Sequence, residues 1–160
     1  LEKELKVGIS DYKIGEAPQS LFTIGLGSCV GIAIYDPTTH VGGLSHIMLP
    51  DSSMFNGEKK IEKFADLAIP HMISELVKKT PKRRLVAKIA GGSSMFKNSL
   101  NTPQANIGLR NVAAVETILK EQGIPILANH TGGSMGRSMF FDLHTLQVKV
   151  RMGNREVFDL

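Results

Sequence analysis

Apolar residues in the first third of the chain come in short runs bounded by glycines and polar turns. SLFTIGL (20–26), VGIAIYD (30–36) and HVGGLSHIML (40–49) read as strands, the last two joined by the DPTTH turn at 36–40. Between Glu58 and Lys79 the spacing changes, and Ile61, Phe64, Ala65, Ala68, Met72, Leu76 and Val77 recur at helical intervals. Pro70 falls inside that pattern and predicts a kink or two abutting helices. RLVAKIAGG (84–92) reads as a buried strand ending in glycines. A second helix is predicted from Asn106 as N-cap, through Val112, Val115, Ile118 and Leu119, to Gly123 as C-cap. IPILANH, RSMFFDL, TLQVKVRM and REVFDL then alternate like strands joined by short turns. These elements predict one α/β domain over 1–160, with a strand-rich, largely antiparallel or mixed sheet system and two main helices.

Composition fits that picture. A chain of 160 residues, 42% hydrophobic and 21% charged, buries enough surface to fold without disulfides or metal. No apolar run approaches the ~20 residues that span a bilayer, and LEKELKVGIS lacks the features of a signal peptide. The single cysteine, Cys29, forms no internal disulfide, so a reducing, cytoplasmic setting is expected. In that setting the sequon Asn129-His130-Thr131 carries no weight. A net charge of +4 suits an acidic protein partner as well as nucleic acid.

Most short motifs fail on context. A dinucleotide fingerprint needs glycine at position 30, where Val30 stands, and a strand follows instead of a helix. Gly132-Gly133-Ser134-Met135-Gly136 matches the G-x-S-x-G nucleophile elbow, yet RSMFFDL after it reads as strand, so a turn between strands is expected. Ser94-Met95-Phe96-Lys97 matches S-x-x-K without its companion motifs. His40 and His46 form the only close histidine pair and have no carboxylate beside them, a poor zinc set. His40 and His144 are expected in turns, and His71 partly buried on a helix. The basic run KKTPKRR (78–84) spans a helix end and a loop with no interleaved aromatic for base stacking, which favours a solvated face over a nucleic-acid site.

Cys29 remains. A lone cysteine between apolar runs is ordinarily inert core filling. Two features argue for more. Gly25 and Gly27 relax the backbone just before the thiol and can turn amide N–H groups toward a developing oxyanion. If VGIAIYD and HVGGLSHIML pair as a hairpin, counting back from the turn brings His46 level with the start of the first strand, beside Cys29. A cysteine and histidine at hydrogen-bond distance make a nucleophile that works near neutral pH.

The chain also resembles a known family, the CheD chemoreceptor glutamine deamidases. The resemblance rests on TIGLGSCV (23–30), SHIMLPDS (45–52), AKIAGGSSMF (87–96), NIGLRN (106–111) and TGGSMGR (131–137), which occur in family order. It implies a three-layer α/β domain similar to bacterial toxin deamidases and a catalytic set that maps to Cys29, His46 and Thr23, without metal or cofactor. It implies as substrate a glutamine side chain on the cytoplasmic helices of a methyl-accepting chemotaxis receptor, and as second partner CheC, a phosphatase of phosphorylated CheY. Neither nucleic-acid binding nor direct membrane insertion is expected. In this scheme Thr23 accepts a hydrogen bond from the second imidazole nitrogen, and N–H groups near Gly27 and Ser28 hold the oxyanion. Two positions depart from the family pattern: Asn129 and His130 stand where an acidic residue is usual, and Pro70 interrupts the first helix. A different class of function, a regulatory module that binds CheC and receptors with catalysis secondary, fits the same residues. A thiol redox role lacks a resolving cysteine.

Overall fold

Burial separates the strands into two kinds, and that separation explains the architecture. In the computed structural model, which describes residues 2–94 and 103–160, strands β4 (Val30–Tyr35) and β5 (Val41–Ile47) are buried at every position. Strand β8 (Arg137–Asp142) instead alternates buried and half-buried residues. Continuous burial requires cover on both faces, whereas alternation requires it on one. Accordingly β4 and β5 lie in a central sheet and β8 in an outer one.

The remaining elements are β1 (Glu4–Lys6), β2 (Asp11–Glu16), β3 (Ser20–Leu26), α1 (Ala65–Leu76), β6 (Val86–Gly91), α2 (Pro103–Glu121), β7 (Ile126–Thr131), β9 (Val148–Met152) and β10 (Val157–Asp159). The outer sheet has the order β1-β3-β8-β9-β10 and the central sheet β2-β5-β4-β6-β7. The β1–β3 and β6–β7 pairs are parallel and the other pairs antiparallel. Val30, Ile32 and Ile34 of β4 pack with Ile69, Met72 and Leu76 of α1 and Val115 and Leu119 of α2. Ala33 and Tyr35, on the other face, pack with Leu21, Leu26, Met139, Phe141 and Val150 of the outer sheet. The result is three layers: outer sheet, central sheet, helices.

The α/β class, the two helices and the mixed sheets match the sequence expectation. The first helix does not begin at Glu58. The amides of Met48 and Leu49 bond the Lys63 carbonyl, and Ala65 N–H bonds the Leu49 carbonyl, so the segment before Ala65 is drawn alongside the end of β5. Those bonds hold Phe64 extended and leave only a short 3-10 turn at Ile61–Lys63. Nor does Pro70 divide the helix: α1 runs through it. Proline removes one donor there, while six buried apolar residues from Ala65 to Leu76 hold the helix on the central sheet. Helix α2 starts at Pro103, so Asn106 lies inside it instead of capping it. Proline has no N–H to leave unpaired in a first turn. The expected terminator, Gly123, sits at φ +73° just past the last turn. Strands β1 and β2, short or mostly polar, are not apparent from the pattern. Met95 to Lys97 of the S-x-x-K match lie outside the described residues.

Candidate active site

The β4–β5 hairpin sets the geometry of the site. The DPTTH turn closes with Asp36 N–H on the Val41 carbonyl at 2.9 Å, and the ladder runs from Tyr35–Gly42 to Gly31–His46 and Val30–Ile47. His46 therefore faces Gly31, two residues beyond Cys29, and lies diagonally across the hairpin from the thiol. At Gly31 a Cβ would stand 2.8 Å from Met139 Sδ and 3.2 Å from Leu26 Cδ1, so that face looks into the space between the sheets. Thr23 enters this space from β3.

Thr23 Oγ1 lies 2.7 Å from His46 Nδ1 and 2.7 Å from the Val7 carbonyl. A hydroxyl has one proton, and a carbonyl can only accept. Thr23 therefore donates to Val7 and accepts from His46, which fixes the imidazole with its proton on Nδ1 and a lone pair on Nε2. Nε2 is buried and has no hydrogen-bond partner among the described residues. Burial of the ring pulls the His46 pKa from its ordinary 6.5 down to about 4. Burial likewise pushes the Cys29 thiol up, opposed by the residue's own backbone N–H. Both groups are neutral at pH 7. The structure thus brings Thr23 and His46 together and leaves the thiol without a hydrogen bond to Nε2, because the register places Gly31, not Cys29, opposite the histidine. Such contacts are often long in an empty site and tighten with substrate.

Cys29 follows a bulge in β3 between Thr23 and Leu26, where Gly25 takes φ +77°. Three consecutive carbonyls of this loop are held by hydrogen bonds. Gly27 O accepts from Ser93 N–H at 2.8 Å, Ser28 O from Asn111 Nδ2 at 2.8 Å, and Cys29 O from Gly92 N–H at 2.8 Å. Close approach of β6 makes this possible. A Cβ at Gly91 would lie 2.3 Å from the Cys29 carbonyl oxygen, so no other residue fits. The Gly27 N–H, expected to help hold an oxyanion, bonds the Gly25 carbonyl at 3.1 Å in this structure. The Ser28 amide has no backbone acceptor among the described residues.

Other sequence candidates fall where their context placed them or separate from the site. The G-x-S-x-G match connects β7 to β8 as a loop between strands, with Ser134 exposed. Its organiser is Arg137, whose buried guanidinium bonds His130 Nδ1 at 2.9 Å and the carbonyls of His130, Gly132 and Met135. His71 is exposed, not partly buried, and bonds Tyr12, which also donates to Glu75 at 2.9 Å. The basic run ends on surface contacts, with Lys82 Nζ donating to Gln122 at 2.9 Å. Among the described residues no cluster of three His, Cys, Asp or Glu is placed to hold a metal. Sequence reasoning missed Val7 and Asn111. The first acts through a backbone carbonyl and the second from a helix 82 positions beyond Cys29 (111 − 29).

Comparison with known proteins identifies the family. A family model described as CheD chemotactic sensory transduction matches residues 48–152. The chain is 52% identical to the "Probable chemoreceptor glutamine deamidase CheD" of Clostridium kluyveri, covering 97% of this chain and 98% of that protein. A relative of the same name from Moorella thermoacetica is 50% identical, over 93% and 90% of the two chains. In fold the chain is similar to a DUF152-family protein of Neisseria meningitidis, with a TM-score of 0.52, 11% identity, and 82% and 64% of the two chains covered. On the full-length relatives and the family model together, this chain belongs to the CheD family.

Proposed function

We propose that this protein hydrolyses the side-chain amide of glutamine residues in chemoreceptor cytoplasmic helices, using Cys29 as nucleophile, His46 as acid and base, and Thr23 as the residue that orients His46. The observation that carries the reading is the Thr23–His46 hydrogen bond, which leaves the Nε2 lone pair free among the described residues, on a histidine that pairs two positions beyond the chain's only cysteine. The names of the curated relatives supply the substrate class.

The chemistry follows from the neutral resting pair. As the glutamine carboxamide enters, Nε2 takes the thiol proton while sulfur attacks the amide carbon. Burial disfavours a standing imidazolium, so proton transfer accompanies attack instead of preceding it. The imidazolium then returns its proton to the amide nitrogen, the C–N bond breaks, and ammonia leaves a thioester on Cys29. Water attacks the thioester with Nε2 as base, releasing glutamate and restoring the thiol. Each turnover converts a neutral side chain into an anion on the receptor helix.

The same reading places the protein in the cytoplasm with its substrate, and includes a CheC-type phosphatase as second partner. No described helix is long and apolar enough to cross a membrane. The test incubates receptor cytoplasmic fragments with the wild-type protein and with Cys29→Ala, and maps Gln-to-Glu conversion by mass spectrometry. Conversion by the wild type alone is expected. Conversion that persists in Cys29→Ala would remove the nucleophile assignment.

A further inference from the structure

Asn111 of α2 is wholly buried, and its Nδ2 donates to the Ser28 carbonyl at 2.8 Å and the Met48 carbonyl at 2.9 Å. Both partners are acceptors only, so the amide nitrogen must face them and Oδ1 must point away. Oδ1 is left buried without a partner among the described residues. For a residue serving stability alone this is a poor arrangement, because an unpaired buried acceptor costs what the two bonds gain.

What the two bonds hold is informative. Ser28 immediately precedes Cys29, and Met48 follows His46 by two residues. One side chain therefore ties the loop carrying the thiol to the strand carrying the imidazole. The peptide bond is planar and trans, so the Ser28 C=O and the Cys29 N–H point in opposite directions. Asn111 fixes the first and thereby aims the second. The Ser93 N–H does the same one peptide earlier, holding Gly27 O and turning the Ser28 N–H away. Neither the Ser28 nor the Cys29 amide donates to a backbone carbonyl among the described residues. The Cys29 N–H also lies close enough to its own sulfur to favour the thiolate.

The geometry points to Asn111 as a positioning residue that aims the Cys29 backbone amide, beside the Ser28 amide set by Ser93, as the oxyanion hole and holds that hole in register with His46. This rests on the reading of Cys29 as nucleophile of an amide hydrolysis. When sulfur adds to the carboxamide carbon, the carbonyl oxygen becomes an anion beside the thiol, and these two donors face it without reorganisation. Gly27 N–H, already bonded to Gly25, takes no part.

The experiment compares wild type, Asn111→Ala and Asn111→Ser in two assays. The first measures kcat and KM for glutamine conversion on a receptor cytoplasmic fragment. The second measures the rate at which iodoacetamide alkylates Cys29, a displacement that forms no oxyanion. In Asn111→Ala, kcat falls about 100- to 1,000-fold, KM changes little, and alkylation stays within about threefold of wild type. Asn111→Ser, which keeps one donor, recovers part of kcat and carries the same readout if the alanine variant does not fold. Alkylation falling in parallel with kcat would overturn the inference, since Asn111 would then merely hold the thiol. Wild-type turnover matched by both variants would overturn it too and leave the function intact. No turnover by the wild type on any receptor fragment would remove the function reading, and the inference with it.

Discussion

The two ends of the β4–β5 hairpin are built on opposite rules. At the turn end Asp36 is completely buried, and its carboxylate accepts from Thr38 N–H at 2.8 Å, from Thr39 Oγ1 at 3.0 Å and from Thr80 Oγ1. A buried charge is met there by several donors, with Arg84 at 3.9 Å on the rim. At the open end His46 Nε2, Asn111 Oδ1 and Ser93 Oγ are buried and unpartnered among the described residues. One end satisfies its polar groups with protein, and the other leaves them open among the described residues. Under the proposed function, stability and reactivity separate on one hairpin, about six residues apart along each strand.

The sharpest way to break the comparison is to find chemistry that survives at the open end without its reactive groups. Cys29→Ala and His46→Gln should each lower glutamine turnover by at least about 1,000-fold, while urea unfolding at pH 7.5 shifts by less than about 1 kcal/mol. A large stability loss in either would mean the open end is structural. Asp36→Ala should do the reverse. Unfolding free energy falls by about 2–4 kcal/mol, because three donors lose a charged acceptor, while kcat of the folded fraction stays within about threefold of wild type.

Acid should separate the ends next. Below pH 6.5 the unfolded chain protonates His46, while the folded protein resists until about pH 4. The group's contribution to stability is therefore complete above 6.5 and is lost as pH falls through that window. The loss amounts to about 3 kcal/mol; it should be missing from His46→Gln and so appear as the difference between the two pH profiles. Equal pH slopes for the two proteins would contradict the burial argument. Thr23→Val should cost about 1–3 kcal/mol by stranding the Val7 carbonyl and the imidazole N–H. It should also lower kcat more than KM, and Thr23→Ser should restore both. The smallest effect belongs to Arg84→Gln. The cation is partly exposed and 3.9 Å from Asp36, so its loss should move stability by under about 1 kcal/mol.

What the sequence discloses depends on how local the cause is. The hairpin is legible because a turn and two apolar runs fix its register, and counting back from DPTTH lands within two residues of the true partner of His46. Thr23 is named by family resemblance, and no spacing argument alone singles out one β-branched residue in a strand. Val7 is invisible because the group that matters is a backbone carbonyl, present at every position. Asn111 reads as an ordinary polar residue on a helix, since its partners sit on two distant segments. The over-long first helix has a similar origin: the bonds that hold Phe64 extended come from Met48, Leu49 and Ala65, which periodicity within 58–79 does not weigh together.

The contact between Gly91 and the Cys29 carbonyl bears on how loss-of-function data for this family are interpreted. Any side chain at position 91 displaces the peptide that carries the thiol. In a library of random variants scored for activity, position 91 would be as intolerant as position 29, although it contributes no reacting atom. Intolerance alone therefore cannot separate the chemists from the carpenters of this site; alkylation of the thiol can, because it asks whether a reactive cysteine is still there.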